Sequence, residues 1–398
     1  MANLEINIIG GGLGRVGANK DGYAHMLFVG ESFVGEIQNP ERLIASDLRN
    51  VSWLIKSDKE YLITPVDGRR LVYWHITEFF RLNPSGVLYV DAVESIESVD
   101  EAKSAIKALT DTDDDVRMLG VVIATNSAIE EGDYVGYFQG ALESITEFQD
   151  HSMRCVIGGS FSDIGEGDYS SAKSNRVMLP IARPNGKYTQ NYTTTHNMSV
   201  GTLLGRICSM GVHQKPSWRS YPITENTDRW DGLQTLPDVE ADIIAQKGYT
   251  QFGMTPRLAG GYVLDSRMAC DETDDFAIIT HGRVIDKAVN LVTKVLAPYL
   301  DSPLYVDANS GELAPDTIAF FEALALNAIQ DGMVKNKSGN EVELSVDPST
   351  GELPTTTIYI DPAQNVLATE TLKIVCSLVP VGSAKKIVFN IGLSNPAK

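Results

Sequence analysis

A chain of 398 residues, 43% hydrophobic with a mean hydropathy of -0.09, can bury a sizeable core and is not biased toward disorder. Its net charge of -19 repels nucleic-acid phosphates and anionic membranes, so neither is expected as a partner. Cys155, Cys208, Cys270 and Cys376 lie far apart with no CxxC pairing, which argues against a disulfide or metal framework and fits small core residues in a reducing compartment. No basic n-region opens the chain and no stretch reaches the ~18 apolar residues of a membrane helix, so synthesis in a cytoplasm is expected.

In chain order, residues 3–9 alternate, with Leu4, Ile6 and Ile8 apolar, and predict a short strand with one buried face. Gly10, Gly11, Gly12, Gly14 and Gly17 follow. Gly12-x-Gly14-x-x-Gly17 matches the dinucleotide fingerprint in letters, but that fingerprint works through a helix N-terminus facing the pyrophosphate. Here a turn over 18–22 and a strand from Tyr23 come next, and no helix opens at the glycines. A glycine-rich hinge behind a mobile terminal strand is the preferred reading, and a dinucleotide-binding oxidoreductase is the alternative.

From 27 to 181 the pattern predicts strands alternating with helices. Strands are expected at Leu27–Val29, Val87–Val90, Met118–Ala124, Met153–Ile157 and Val177–Ile181. Helices are expected at Leu71–Arg81, Val99–Leu109 and Tyr134–Phe148, and a short helix or extended piece at Pro40–Ile44. Such alternation implies a largely parallel sheet with helices on its faces. Residues 183–240 read as long loops around one helix, Val200–Met210. Two further helices are predicted over Asp275–Leu300 and Pro315–Gly332, the first with basic positions Arg283, Lys287 and Lys294. The fold class expected is α/β and α+β, a central mixed sheet flanked by helices with extended terminal strand arms.

One internal repeat stands out: Val306-Asp307-Ala308-Asn309-Ser310-Gly311-Glu312-Leu313 recurs as Val346-Asp347-Pro348-Ser349-Thr350-Gly351-Glu352-Leu353. Gly stands at position five rather than six and no Glu stands at twelve, so two Asx-type turns are expected rather than calcium loops. The six histidines show no HExxH or HxH spacing, and no G-x-S-x-G elbow exists. No cofactor, metal or catalytic residue is expected.

The chain closes on two alternating stretches. Thr371–Val379 places Leu372, Ile374, Cys376 and Leu378 on one face, and Lys385–Leu393 does so with Ile387, Phe389, Ile391 and Leu393. Pro380 and Gly382 bend the chain between them. An apolar terminal strand with an open edge recruits other chains. Residues 371–398 also carry +4, leaving -23 for the rest, which favours contact between copies; edge lysines equally protect against sticking.

Tyr23–Ser32 with its Phe28-Val29-Gly30, Asn39-Pro40, His75–Gly86 followed by Val87–Val90, Gly205-Arg206-Ile207 with Gly211–Pro216, Thr255-Pro256-Arg257, Phe276–Lys287, and the closing Ser377–Val381 and Ile387–Ile391 stand in this order along the chain. Taken in that order, these segments resemble the contractile tail sheath family of myophages, R-type bacteriocins and related injection systems. The sequence departs from the family's pattern at Ser383-Ala384-Lys385, where the family has Pro-Ala-Glu, and at His281-Gly282-Arg283, where it has a double Arg. The resemblance implies a short, non-enzymatic sheath subunit that polymerises helically with copies of itself around an inner tail tube, with baseplate and tail terminator proteins as further partners. It implies assembly in a bacterial cytoplasm and residence in a virion tail or contractile particle. Strands bearing Leu4, Ile6, Ile8 and Ile387, Phe389, Ile391 would be exchanged between copies, hinged at Gly10, Gly11, Gly12, Gly14, Gly17 and Gly382. Arg283, Lys287 and Lys294 are candidates to face the tube. The domains expected are an arm with its glycine linker over 1–22, an α/β body over 23–240, a sheath domain over 241–380 and an arm over 381–398. Another self-assembling tail or shell protein is a further alternative.

Overall fold

The computed structural model describes residues 20–30, 33–34, 37, 41–49, 68–111, 113, 116–123, 130–149, 152–159, 167–184, 199–225, 230–231, 243–308, 310–335, 337 and 339–384. The chain divides into two compact units, residues 1–300 and 301–398.

The first unit is built on an eight-stranded sheet. Its strands are β1 (Tyr23–Val29), β2 (Glu41–Leu43), β3 (Val87–Val93), β4 (Met118–Ile123), β5 (Arg154–Gly159), β6 (Val177–Ile181), β7 (Tyr249–Met254) and β8 (Gly261–Val263), in the order β8-β7-β6-β5-β4-β1-β3-β2. β3, β1, β4, β5, β6 and β7 run parallel. They are covered on both faces, so β4 reads as a continuous apolar run, and β1 as one broken only by His25, instead of alternating. β1 lies between β3 and β4, so the crossovers reverse direction there, as in doubly wound folds. The outer strands β2 and β8 are three residues long and antiparallel to their neighbours. Glu41–Leu43 is thus the extended alternative of the expected helix or extended piece, and the stretch after Gly248 contributes two strands to the sheet.

Four helices cover the sheet: α1 (Gly68–Leu82), α2 (Val99–Thr110), α3 (Glu131–Gln149) and α4 (Val200–Cys208). α1 and α4 pack over Met26, Phe28, Leu88, Val90, Met118 and Val122. α2 and α3 pack over Leu27, Val29, Tyr89, Leu119, Val121 and Ile157 on the opposite face. α2 begins as its sequence dictates: Ser98 accepts from the Glu101 amide at 3.3 Å, and Glu101 reaches back to the Glu97 amide at 2.7 Å.

α4 is buried along its whole length, which requires α1 and α4 to approach closely. A Cβ at Gly201 would overlap the His75 carbonyl, and one at Gly205 would crowd that of Phe79. The Gly201 amide donates to His75 Nδ1 at 3.0 Å. Burial lowers the His75 pKa from 6.5 to about 3, with the Glu78 carboxylate opposing, so the imidazole is neutral in the fold. Glu78, itself fully buried, accepts from Thr202 at 2.8 Å and from both ends of the Arg81 guanidinium at 2.7 and 3.0 Å. Helix α5 (Ile279–Leu296) closes the first unit and continues into a 3-10 turn, Ala297–Tyr299.

Candidate assembly surface

The second unit is small and its apolar groups are poorly covered. Two turns organise it, one at each copy of the repeat. In the first, the Gly311 amide donates to the Asp307 carbonyl and the Asp307 amide to that of Glu312, both at 2.8 Å. The second repeats this, from Gly351 to Asp347 at 2.7 Å and from Asp347 to Glu352 at 3.0 Å. Gly311 and Gly351 take φ of 74° and 71°, the left-handed position such a turn needs. Each turn ends on a buried leucine, Leu313 and Leu353. The carboxylates of Asp307 and Asp347 accept amide hydrogens inside their own turns, as expected for Asx turns.

Helix α6 (Pro315–Ile329) follows the first turn and ends in a π-helical turn, Gln330–Val334, whose Gln330 Oε1 accepts from the Leu353 amide at 2.9 Å. It buries Phe321, Ala325 and Ile329 but leaves Phe320 47% exposed. Ile358–Tyr359 (β9) and Val375–Cys376 (β10) form a two-stranded antiparallel ribbon. The side chain of Gln364 bonds the Lys373 backbone at 2.7 and 2.8 Å, and the Ser345 amide donates to the Val379 carbonyl at 2.9 Å. The expected alternation over Thr371–Val379 persists in part: Leu372, Ile374 and Leu378 are half-buried, whereas Lys373, Val375, Ser377 and Val379 are exposed. Cys376, expected on the inner face, is exposed, and only two residue pairs form a ladder. Tyr359 and Val375, opposite each other in the ribbon, are 54% and 56% exposed, and Val379 and Leu367 are more so. Each strand of a two-stranded ribbon keeps one edge open to further pairing.

Leu4, Ile6, Ile8, Ile387, Phe389 and Ile391, and the glycines 10, 11, 12, 14 and 17, lie outside the described residues. Gly382 is exposed and has open space where a side chain would stand. Lys294 is exposed on α5. Two of the tube-facing candidates need correction. Arg283 is 3% exposed and donates to the Met210 and Gly211 carbonyls at 3.3 and 3.4 Å, just past the end of α4, where the helix dipole favours a cation. Lys287 pairs with Asp21 at 2.7 Å beneath the start of β1. Both hold the first unit together.

Sequence reasoning missed a cluster on the inner face of α5. Arg154 and Asp286, each with a side chain 2% exposed, pair at 3.0 Å. Asp286 also accepts from Ser152 Oγ at 2.6 Å and lies 3.7 Å from Arg176. Arg154 donates to the Asn175 carbonyl at 2.6 Å and lies over the Phe276 ring at 5.1 Å. Asn290 exchanges two bonds with the Ser152 backbone, at 3.3 and 3.4 Å. The recoverable signal was spacing: Gly282, Asp286 and Asn290 recur every four residues on one helical face. Among the described residues, no group of three or more His, Cys, Asp or Glu side chains is placed to hold a metal ion, and no helix is long and apolar enough to cross a membrane.

Three solved structures share this arrangement over nearly the whole chain. A chain of the anti-feeding prophage baseplate superposes with a TM-score of 0.59 at 14% identity, covering 93% of this chain and 92% of its own. A chain of the contracted sheath complex of PVC, an extracellular contractile injection system, gives 0.54 at 11%, covering 93% and 91%. The sheath tail protein of Desulfitobacterium hafniense gives 0.52 at 10%, covering 97% and 98%. This is the contractile tail sheath fold. The family model described as the C-terminal domain of DUF2586 matches residues 275–398, which takes in α5 and the whole second unit. No curated protein sequence matches. The mixed sheet flanked by helices agrees with the fold class read from the sequence.

Proposed function

We propose that this chain is the structural subunit of a contractile tail sheath. The supporting observation is the end-to-end likeness to sheath chains, across both units and without large additions on either side. At these identities the likeness speaks for the fold, and the step to function rests on what the second unit offers. Among the described residues its ribbon has two strands and exposed Tyr359 and Val375, which suits strand addition from another copy. The apolar alternation at Leu4, Ile6, Ile8 and at Ile387, Phe389, Ile391 suits the strands to be added, with Gly10–Gly17 and Gly382 as hinges. Head-to-tail contacts that do not close on themselves grow into a helical filament. The filament would enclose an inner tube, with Lys294 and the exposed side of α6 as candidate tube-facing groups, and would shorten as bodies repack while the exchanged strands keep neighbours linked. The role is non-enzymatic, and the setting is a tail or injection particle with baseplate and terminator proteins at its ends.

Negative-stain microscopy of the purified chain tests this. Hollow ribbed tubes or rings are expected. A monodisperse monomer at every concentration and salt condition would refute the sheath reading.

A further inference from the structure

We infer that the buried Arg154–Asp286 pair is a registry device, which sets how helix α5 is seated on the sheet rather than how stable the first unit is. The geometry around it is unusually restrictive. A Cβ at position 282 would overlap the Arg154 guanidinium, so Gly282 lets the α5 backbone lie directly against that cation. The Phe276 ring takes the guanidinium at 5.1 Å, the Asn175 carbonyl accepts from Nη1 at 2.6 Å, and Asp286 accepts from Nη2 at 3.4 Å while its other carboxylate oxygen lies 3.0 Å from Nε. Asp286 is fixed in turn by Ser152 Oγ at 2.6 Å, and one helical turn further Asn290 binds the Ser152 backbone on both sides. These contacts are directional and lie at three successive levels of α5. Sliding the helix by one residue, or turning it, would break all of them together.

The apolar contacts of α5 specify its seat much less well. Ile279 anchors its first turn in the core, but beyond it the buried apolar positions are only Val284 and Ala288 beside Gly282, and from Val289 onward Asn290 is the one buried side chain. Small apolar surfaces slide at little cost, whereas a charge pair with both partners buried tolerates one geometry. Taking two charges out of water cancels most of what their attraction returns, so such a pair contributes little net stability while heavily penalising every alternative seat. α5 is also the last helix of the first unit, so its register fixes where the chain leaves that unit at Leu300.

The test uses the full chain in three forms: wild type, Asp286→Asn, and the shape-matched apolar double variant Arg154→Met/Asp286→Leu. Thermal melts report stability, and hydrogen exchange of the α5 amides reports how firmly the helix is seated. Asp286→Asn leaves the buried Arg154 and the neighbouring Arg176 without their counter-charge, and its Tm is expected to fall by about 6–12 °C. The double variant is expected to recover to within about 3 °C of wild type while its α5 amides exchange at least about tenfold faster than wild type. Gly282→Ala, which displaces the guanidinium and leaves both charges, should likewise speed exchange in α5. Recovery of Tm with wild-type protection of α5 would overturn the inference, since the seat would then be set elsewhere. A double variant that melts as low as Asp286→Asn, or does not fold, would overturn it in the other direction by making the pair a stabilising element.

Discussion

Acidification should destabilise the first unit through His75. The imidazole is buried between α1 and α4, accepts the Gly201 amide at Nδ1, and has its pKa lowered from 6.5 to about 3. The unfolded chain takes up a proton as pH falls through 6.5, whereas the folded chain does not until about 3, so the unfolded state binds more protons throughout that window. Stability conferred by the neutral imidazole is therefore complete above 6.5 and is lost progressively below it, at about 1.4 kcal/mol for each pH unit. Between pH 6.5 and 4.5 the loss amounts to about 2.7 kcal/mol, a large share of the ~5–15 kcal/mol typical of a domain. His75→Asn separates this effect from the carboxylates, because its amide oxygen can accept from Gly201 and does not titrate. That variant should be weaker at pH 7.5, where it lacks ring volume, by about 1–2 kcal/mol. It should then lose less than wild type on acidification, so the two curves converge and cross near pH 5. Urea unfolding followed by circular dichroism at half-unit steps of pH measures both slopes. Parallel curves from 7.5 to 4.5 would refute the buried, neutral imidazole.

The remaining predictions concern packing and assembly. Gly201→Val forces α4 off the His75 carbonyl and should cost about 3 kcal/mol in urea unfolding, several times what the same change costs at an exposed helical site. Tyr359→Lys with Val375→Lys alters exposed ribbon positions, so subunit stability should change by no more than about 0.5 kcal/mol each while tubes disappear from the microscope. Removal of residues 382–398 should leave a folded subunit of unchanged far-UV spectrum that no longer polymerises in a sedimentation assay; loss of the fold would place the last strand inside its own subunit.

The first unit was legible because its signals are local. β4 and β6 are uninterrupted apolar runs and β1 is broken only by His25, α2 carries its cap at Ser98 and Glu101, and each lies within a residue or a few of where the pattern predicts it. The two Asx turns were legible for the same reason, since an Asp and a Gly at fixed spacing specify a turn without distant help. What could not be read was long-range or polar. Arg154 and Asp286 stand 132 residues apart, and a lone Arg at the head of an apolar strand does not announce its partner. Basic positions on α5 suggested an outward face, yet Arg283 and Lys287 are turned to the α4 terminus and to Asp21, because a cation finds a helix C-terminus or a carboxylate as readily as it finds solvent. The strand over Thr371–Val379 shrank to a two-pair ladder since alternation shows that one face is apolar and not how much partner backbone is on hand.

The short outer strands β2 and β8 have a consequence for assembly kinetics. With three residues each, neither gives an incoming strand a ladder long enough to hold, so these edges are poor sites for strand addition. Under the strand addition proposed above, the concentration at which copies begin to join would depend on the ribbon and the terminal segments more than on these edges. Substitutions in the sheet would shorten or lengthen the lifetime of the free subunit without moving that threshold, and substitutions in the ribbon would move the threshold without touching the lifetime.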